Sequence, residues 1–291
     1  MTTTTPTLTL LSDLSDALLE EEAAIRKARA SGKPGGPVTG FAPLDESLGG
    51  FLAPGLHVLM GAPGTGKTAF ALQVAAQAQM PALYVTCEMR PLDLLRRVIC
   101  RTSKIFLGRL RGQLSEPDLK NALQTAVKAC PQLAFLDASR QPTDAATILD
   151  AASLLRERFQ APHILLLLDS LTDWAATSAG DAREYEANEA ALNALKQIGA
   201  ALSCPVLTVV HRNRVGNKSK EDGEHHLHSG KGTGRVEYIA ETVLNLSLAG
   251  SPSPIAEVKA VTLTLLKNRN GKRGEEVSLL FEGRLQEFRL P

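Results

Sequence analysis

The chain has 291 residues, 44% of them hydrophobic and 22% charged, a globular balance that excludes a disordered tail or a disulfide-stapled miniprotein. Its 32 Lys and Arg against 31 Asp and Glu leave a net charge of +1, so no molecule-wide field attracts polyanions and any such surface must be local. The longest aliphatic run, ILLLL at 164–168, is far short of the roughly 18 residues of a membrane span; with no secretory signal at the N-terminus either, the chain reads as cytoplasmic and without a membrane partner.

In chain order, a Thr-rich leader precedes Leu11, Leu14, Leu18 and Ile25, whose helical spacing predicts one amphipathic helix over about 12–30. SGKPGGP at 31–37 ends it, because two prolines and three glycines cannot continue a helix. Residues 1–37 are thus expected to be a flexible leader and a linker or docking helix, whose leucine seam must be buried on its own domain or on a neighbouring subunit.

From 38 to 291 a single domain is expected. Short aliphatic runs at 57–60, 82–86, 133–136, 163–168 and 205–210 alternate with amphipathic stretches near 67–79, 91–102, 116–129, 144–160 and 183–202. That alternation predicts an α/β fold with a mostly parallel central sheet covered by helices. After 240 the pattern turns β-rich, with strands expected at 242–248, 257–267 and 275–281 and NGKRG as a turn before the last. Cys87, Cys100, Cys130 and Cys204 form no CxxC pair and are expected to be free, buried thiols. Basic residues concentrate at 96–111, six with no acid, and at 211–235, six with four histidines and three acids. Each is either a solvated face or a local binding surface.

The chemistry concentrates in GAPGTGKT at 61–68, which satisfies GxxxxGK followed by Ser or Thr, directly after a predicted strand and at the start of a predicted helix. Gly61, Ala62, Pro63, Gly64, Thr65, Gly66, Lys67, Thr68 and Ala69 form a nest and helix N-terminus whose backbone N–H groups, absent only at Pro63, suit phosphate oxygens. Lys67 adds a point charge, and Thr68 a hydroxyl for Mg²⁺. The cofactors expected are therefore ATP and Mg²⁺. In an open parallel sheet, ligands lie beyond the carboxyl ends of the strands, and there Glu88, Asp169 and His211 each follow a predicted strand. Asp169 reads as the acid that holds Mg²⁺, and Glu88 as a base for the attacking water or an N-cap to the next helix. His211 reads as a γ-phosphate sensor or a structural hydrogen-bonding histidine. Lys267 and Arg269, two apart at a strand end, share a face and are phosphate fingers or solvated cations. EHHLH at 224–228 has neither HExxH spacing nor companion ligands, so no metal site is expected there.

Taken together, VTGFAPLDESLGGFLAPGLHVLMGAPGTGKTAFALQVA, LYVTCEM, RLRGQLSEPDL, ILLLLDSL, LKQIGAALSCPVLTVVHRNR and LLKNRNGKRG resemble, in order, the RecA-like ATPase core of DnaB-family replicative helicases. The resemblance covers about 38–288. It implies a RecA-like P-loop NTPase with a β-rich C-terminal tail, Glu88 as base, Asp169 as the Walker B acid, and Lys267 with Arg269 inserted into a neighbouring subunit's site. HSGKGTGRVEYIAE resembles the family's channel loop, which implies that Lys231, Gly232, Gly234 and Arg235 grip single-stranded DNA. His211 stands where the family usually has glutamine, and that feature is closer to RadA and KaiC-like relatives. The implied protein is a homo-oligomeric ring, six-membered by family precedent, that acts as an ATP-dependent DNA helicase or translocase. It would lack the N-terminal primase-binding domain, with no loader specified. A RadA- or KaiC-like ATPase switch is the alternative.

Overall fold

The structure is a computed structural model that describes residues 8–178, 183–211, 238–250 and 257–291. Nine strands among them form one sheet, in the order β3-β2-β4-β5-β1-β6-β7-β8-β9. These are β1 (Gly55–Gly61), β2 (Ala82–Thr86), β3 (Leu133–Asp137), β4 (Leu165–Asp169), β5 (Pro205–His211), β6 (Thr242–Leu248), β7 (Val258–Asn268), β8 (Glu276–Glu282) and β9 (Glu287–Arg289). The first six in spatial order are parallel, and β7, β8 and β9 continue the sheet antiparallel.

Helices cover both faces: α3 (Lys67–Gln77), α4 (Pro91–Ser103) and α5 (Glu116–Ala129) on one, α6 (Ala145–Arg158), α7 (Leu171–Ser178) and α8 (Glu184–Leu202) on the other. The unbroken ILLLL run follows from this. Leu165 and Leu167 enter one core and Leu166 and Leu168 the other, because a central parallel strand is buried on both sides.

Every strand and helix expected from the sequence is present within a few residues. Four elements were not expected: α2 (Ala42–Ser47), a 3₁₀ turn at Leu107–Leu110, α7 and β9. The short α2 organises the VTGFAPLDES entry: Asp45 accepts from Thr39 N and Oγ1 at 2.7 Å and from Gly40 N at 3.1 Å. The N-terminal helix splits into a 3₁₀ turn, Leu11–Leu14, and α1 (Ser15–Ala30). It buries none of its residues; Leu11, Leu14, Leu18 and Leu19 are exposed, while Ile25 packs against Gly35.

The last strands brace the helix that follows β1. Gln73 of α3 donates to Phe288 O at 2.8 Å and accepts from Phe288 N at 2.8 Å. Phe288 also meets Phe70 edge-on at 5.4 Å and stacks on Phe281 at 4.4 Å.

Candidate nucleotide site

β1 ends at Gly61, where the chain turns through 62–66 and enters α3 at Lys67. Two glycines are demanded by geometry. A Cβ on Gly61 would lie 2.4 Å from Leu246 O of the adjacent strand, and Gly66 caps α3 at φ 93°, where a Cβ would run into Phe288 and Phe281. Thr65 Oγ1 donates to Ala62 O at 2.9 Å and holds the turn closed. Ala62, Pro63 and Gly64 are exposed at its crest, Thr68 is half-buried in the first helical turn, and the Ala69 side chain points into the core.

Lys67 is only 5% exposed, and its ammonium donates to Gly61 O at 2.9 Å and Ala62 O at 3.1 Å. Burial pushes its pKa below the ordinary lysine value, against the pull of the Asp169 and Glu88 carboxylates. Those two acids are thus electrostatic neighbours of the lysine, as the sequence suggested.

Asp169 lies at the end of β4, 5% exposed. Its Oδ2 accepts from the Tyr84 hydroxyl at 2.7 Å, and its Oδ1 is buried with no hydrogen-bond partner among the described residues. A buried carboxylate oxygen without a donor is costly, and at the end of β4, beside the glycine-rich loop's lysine, it suits a hydrated divalent cation. The donor set Thr68 and Asp169 therefore fits Mg²⁺. The partner Tyr84 was missed from sequence; burial and the adjacent carboxylate hold its phenol far above the usual pKa.

Glu88 is exposed just beyond β2, and Cys87 N donates to Asp169 O at 2.8 Å, which ties this loop to the end of β4. His211 is paired in register with Gly61 at the tip of β5 and is half-buried. Glu88, His211 and Asp173 present donor atoms all within 4.8 Å of one another. Asp173, in the first turn of α7, was not singled out in the sequence.

Lys267 and Arg269 are not part of this cluster. Register places Gly61 beside Leu246 and Leu246 beside Leu263, whereas Asn268 pairs with Thr242 and Thr242 with His57. The two cations thus emerge at the opposite end of the sheet from the glycine-rich loop, a strand displacement of roughly 16 Å at about 3.3 Å per residue. There Lys267 Nζ donates to Ala240 O at 2.6 Å, and Arg269 pairs with Glu241 at 2.7 Å. Lys231, Gly232, Gly234 and Arg235, and EHHLH with them, lie outside the described residues. The basic stretch at 96–111 is no uniform cationic face: Arg101 is buried, Arg96 pairs with Asp93, and Lys104 with Glu287.

A sheet of this order, with the loop, acid and carboxylate aligned along one edge, defines a RecA-like P-loop ATPase fold. Residues 36–290 match the family model for the DnaB-like helicase C terminal domain. The chain belongs to that family. It is 26% identical over 245 residues to the Gene 65 protein of Mycobacterium phage L5, covering 84% of this chain and 86% of the phage protein. It is 26% identical to the replicative DNA helicase DnaB of Treponema pallidum, covering 87% of this chain and 56% of that one; the chain thus spans little more than half of the bacterial helicase. Among solved structures, the ATPase domain of G40P superposes with a TM-score of 0.77 at 18% identity, covering 96% of this chain and 98% of that domain. A KaiC-like protein of Pyrococcus horikoshii superposes at 0.56 and 19% identity, covering 88% and 98%.

Proposed function

We infer that the protein is an ATP-driven motor acting on single-stranded DNA, assembled as a ring in which each ATP lies between two copies. The observation that carries this reading is the placement of Lys267 and Arg269 at the sheet end away from Lys67. They are out of reach of their own loop, and to meet the next copy's triphosphate they would exchange their bonds to Ala240 and Glu241 for phosphate oxygens. The DnaB-like family membership supports the same reading, and six is the subunit number the family resemblance favours.

In this reading the N–H groups at the start of α3 bind the β- and γ-phosphates, and Lys67 exchanges its two carbonyl partners for phosphate oxygens. Thr68 and Asp169 would hold Mg²⁺, which when bound would neutralise charge on the triphosphate. Glu88 takes a proton from the attacking water, and His211 reports on the γ-phosphate through its place beside Gly61. The exposed leucines of α1 pack on the adjacent copy, and Lys231, with Gly232, Gly234 and Arg235, follows the DNA backbone.

The deciding experiment is ATPase rate with and without single-stranded DNA: stimulation of about tenfold or more is expected, and indifference to DNA would overturn the motor reading. Doping Arg269→Ala protein into wild type should depress the rate more than in proportion to the mutant fraction; strictly proportional loss would mean independent sites. Lys231→Ala should weaken DNA binding and lower its salt slope by about one unit while basal hydrolysis continues. A second reading, a nucleotide-controlled switch, draws on His211 and on 30% identity over 156 residues, 49% of this chain, to the DNA repair protein RadA of Haemophilus influenzae. It predicts DNA-independent ATPase and no strand displacement.

A further inference from the structure

We propose that Asp173 is a catalytic residue of this site, a second carboxylate that holds the attacking water together with Glu88 and His211. The inference rests on the ATPase reading above and extends it to a residue that the sequence motifs do not single out. Glu88 comes from the loop after β2, Asp173 from the first turn of α7 and His211 from the tip of β5, yet their polar atoms converge within 4.8 Å of one another. Three atoms that surround one water at hydrogen-bond length, about 2.8 Å, stand about 4.8 Å apart. The cluster is therefore compact enough for one water to reach all three groups.

The chemistry of the three groups is complementary to that water. It donates one O–H to Glu88 and the other to Asp173, and accepts N–H from His211, which leaves one lone pair for the γ-phosphorus. As the new O–P bond forms and the bond from γ-phosphorus to the β-bridging oxygen breaks, the electron pair leaves with ADP. One water proton passes to Glu88, and the other stays with the inorganic phosphate while bonded to Asp173.

Asp173 is held for this task. Ser170 Oγ donates to Asp173 Oδ2, and Asp173 N donates back to Ser170 Oγ at 3.4 Å, so one carboxylate oxygen is anchored at the start of α7. Oδ1 accepts no hydrogen bond among the described residues. A purely capping residue would need only the anchored oxygen, and its loss would lower stability without touching the rate.

The test uses the full chain in single-turnover ATP hydrolysis, with binding of a fluorescent ATP analogue and melting temperature measured alongside. Asp173→Asn should slow hydrolysis about 100-fold, the low end for a group acting on a proton in transfer, with analogue affinity changed less than about threefold. Asp173→Glu should recover part of the rate. Glu88→Gln combined with Asp173→Asn should be hardly slower than Glu88→Gln alone, since both act on one water. Wild-type rates in Asp173→Asn with only a lower melting temperature, or full additivity in the double variant, would overturn the proposal. Wild-type rates in Glu88→Gln would instead bring down the underlying site reading.

Discussion

The Tyr84 hydroxyl donates to Asp169 Oδ2 across two adjacent parallel strands, at 2.7 Å and in the protein interior. Hydrogen bonds to an ionised partner are worth about 1.5–3 kcal/mol. Tyr84→Phe is therefore expected to lower unfolding free energy by about that amount in urea. It should also raise the Mg²⁺ concentration required for half-maximal hydrolysis, because Asp169 is no longer fixed. Unchanged values of both would show that the contact is incidental.

Gly66 allows a sharper test of the loop. Its φ of 93° disfavours any side chain, and a Cβ would lie 2.9 Å from Phe288 Cζ and 3.1 Å from Phe281 Cε1. Gly66→Ala should destabilise by more than about 1 kcal/mol and abolish nucleotide binding. Phe288→Ala should cost about 3–5 kcal/mol by removing the ring below that loop.

Lys67 is a buried cation whose ammonium hydrogen-bonds to carbonyls, and the cost of its burial outweighs the pull of Asp169 and Glu88. Lys67→Met is expected to melt no lower than wild type without nucleotide. In an ATP analogue at a hundred times Kd, wild type gains about 2.7 kcal/mol and the variant gains nothing. Differential scanning fluorimetry with and without the analogue separates the two effects.

Burial pushes the thiols of Cys87 and Cys204 up to about 12 and that of Cys100 up to about 11. At pH 8 they are almost wholly protonated, and alkylation by iodoacetamide should be slow until the protein unfolds. The sign for stability follows: the folded state holds these protons more tightly than the unfolded chain. The contribution is complete below the usual thiol range and is lost as pH rises from about 9 towards 12. Urea midpoints at pH 8, 9.5 and 10.5 should fall in that order.

Much of this molecule is legible in its sequence because its signals are local. The glycine-rich loop, the doubly buried leucine run of β4 and the amphipathic helices each declare themselves within a short window, and the site acids stand directly after their strands. Tyr84 escaped because its significance depends on β2 lying beside β4, a pairing of strands about 80 residues apart in the chain that no local pattern encodes. Asp173 escaped because α7 begins two residues after β4 and has only eight residues, too few for a helical period to emerge. α2 and β9 are shorter still, with six and three residues. The ion pair of Arg269 with Glu241 was equally hidden, since both readings of that arginine, finger or solvated cation, are compatible with LLKNRNGKRG.

In the proposed ring, the opposed positions of Lys67 and Arg269 along the sheet would give each molecule a giving end and a receiving end. Two defective preparations, one spoiled at Lys67 and the other at Arg269, should each be inert alone and yet regain a small part of the activity when blended, because only a minority of seams then have both halves intact. Wherever the intact tip of one meets the intact loop of the other, a whole active centre is restored from two broken parents.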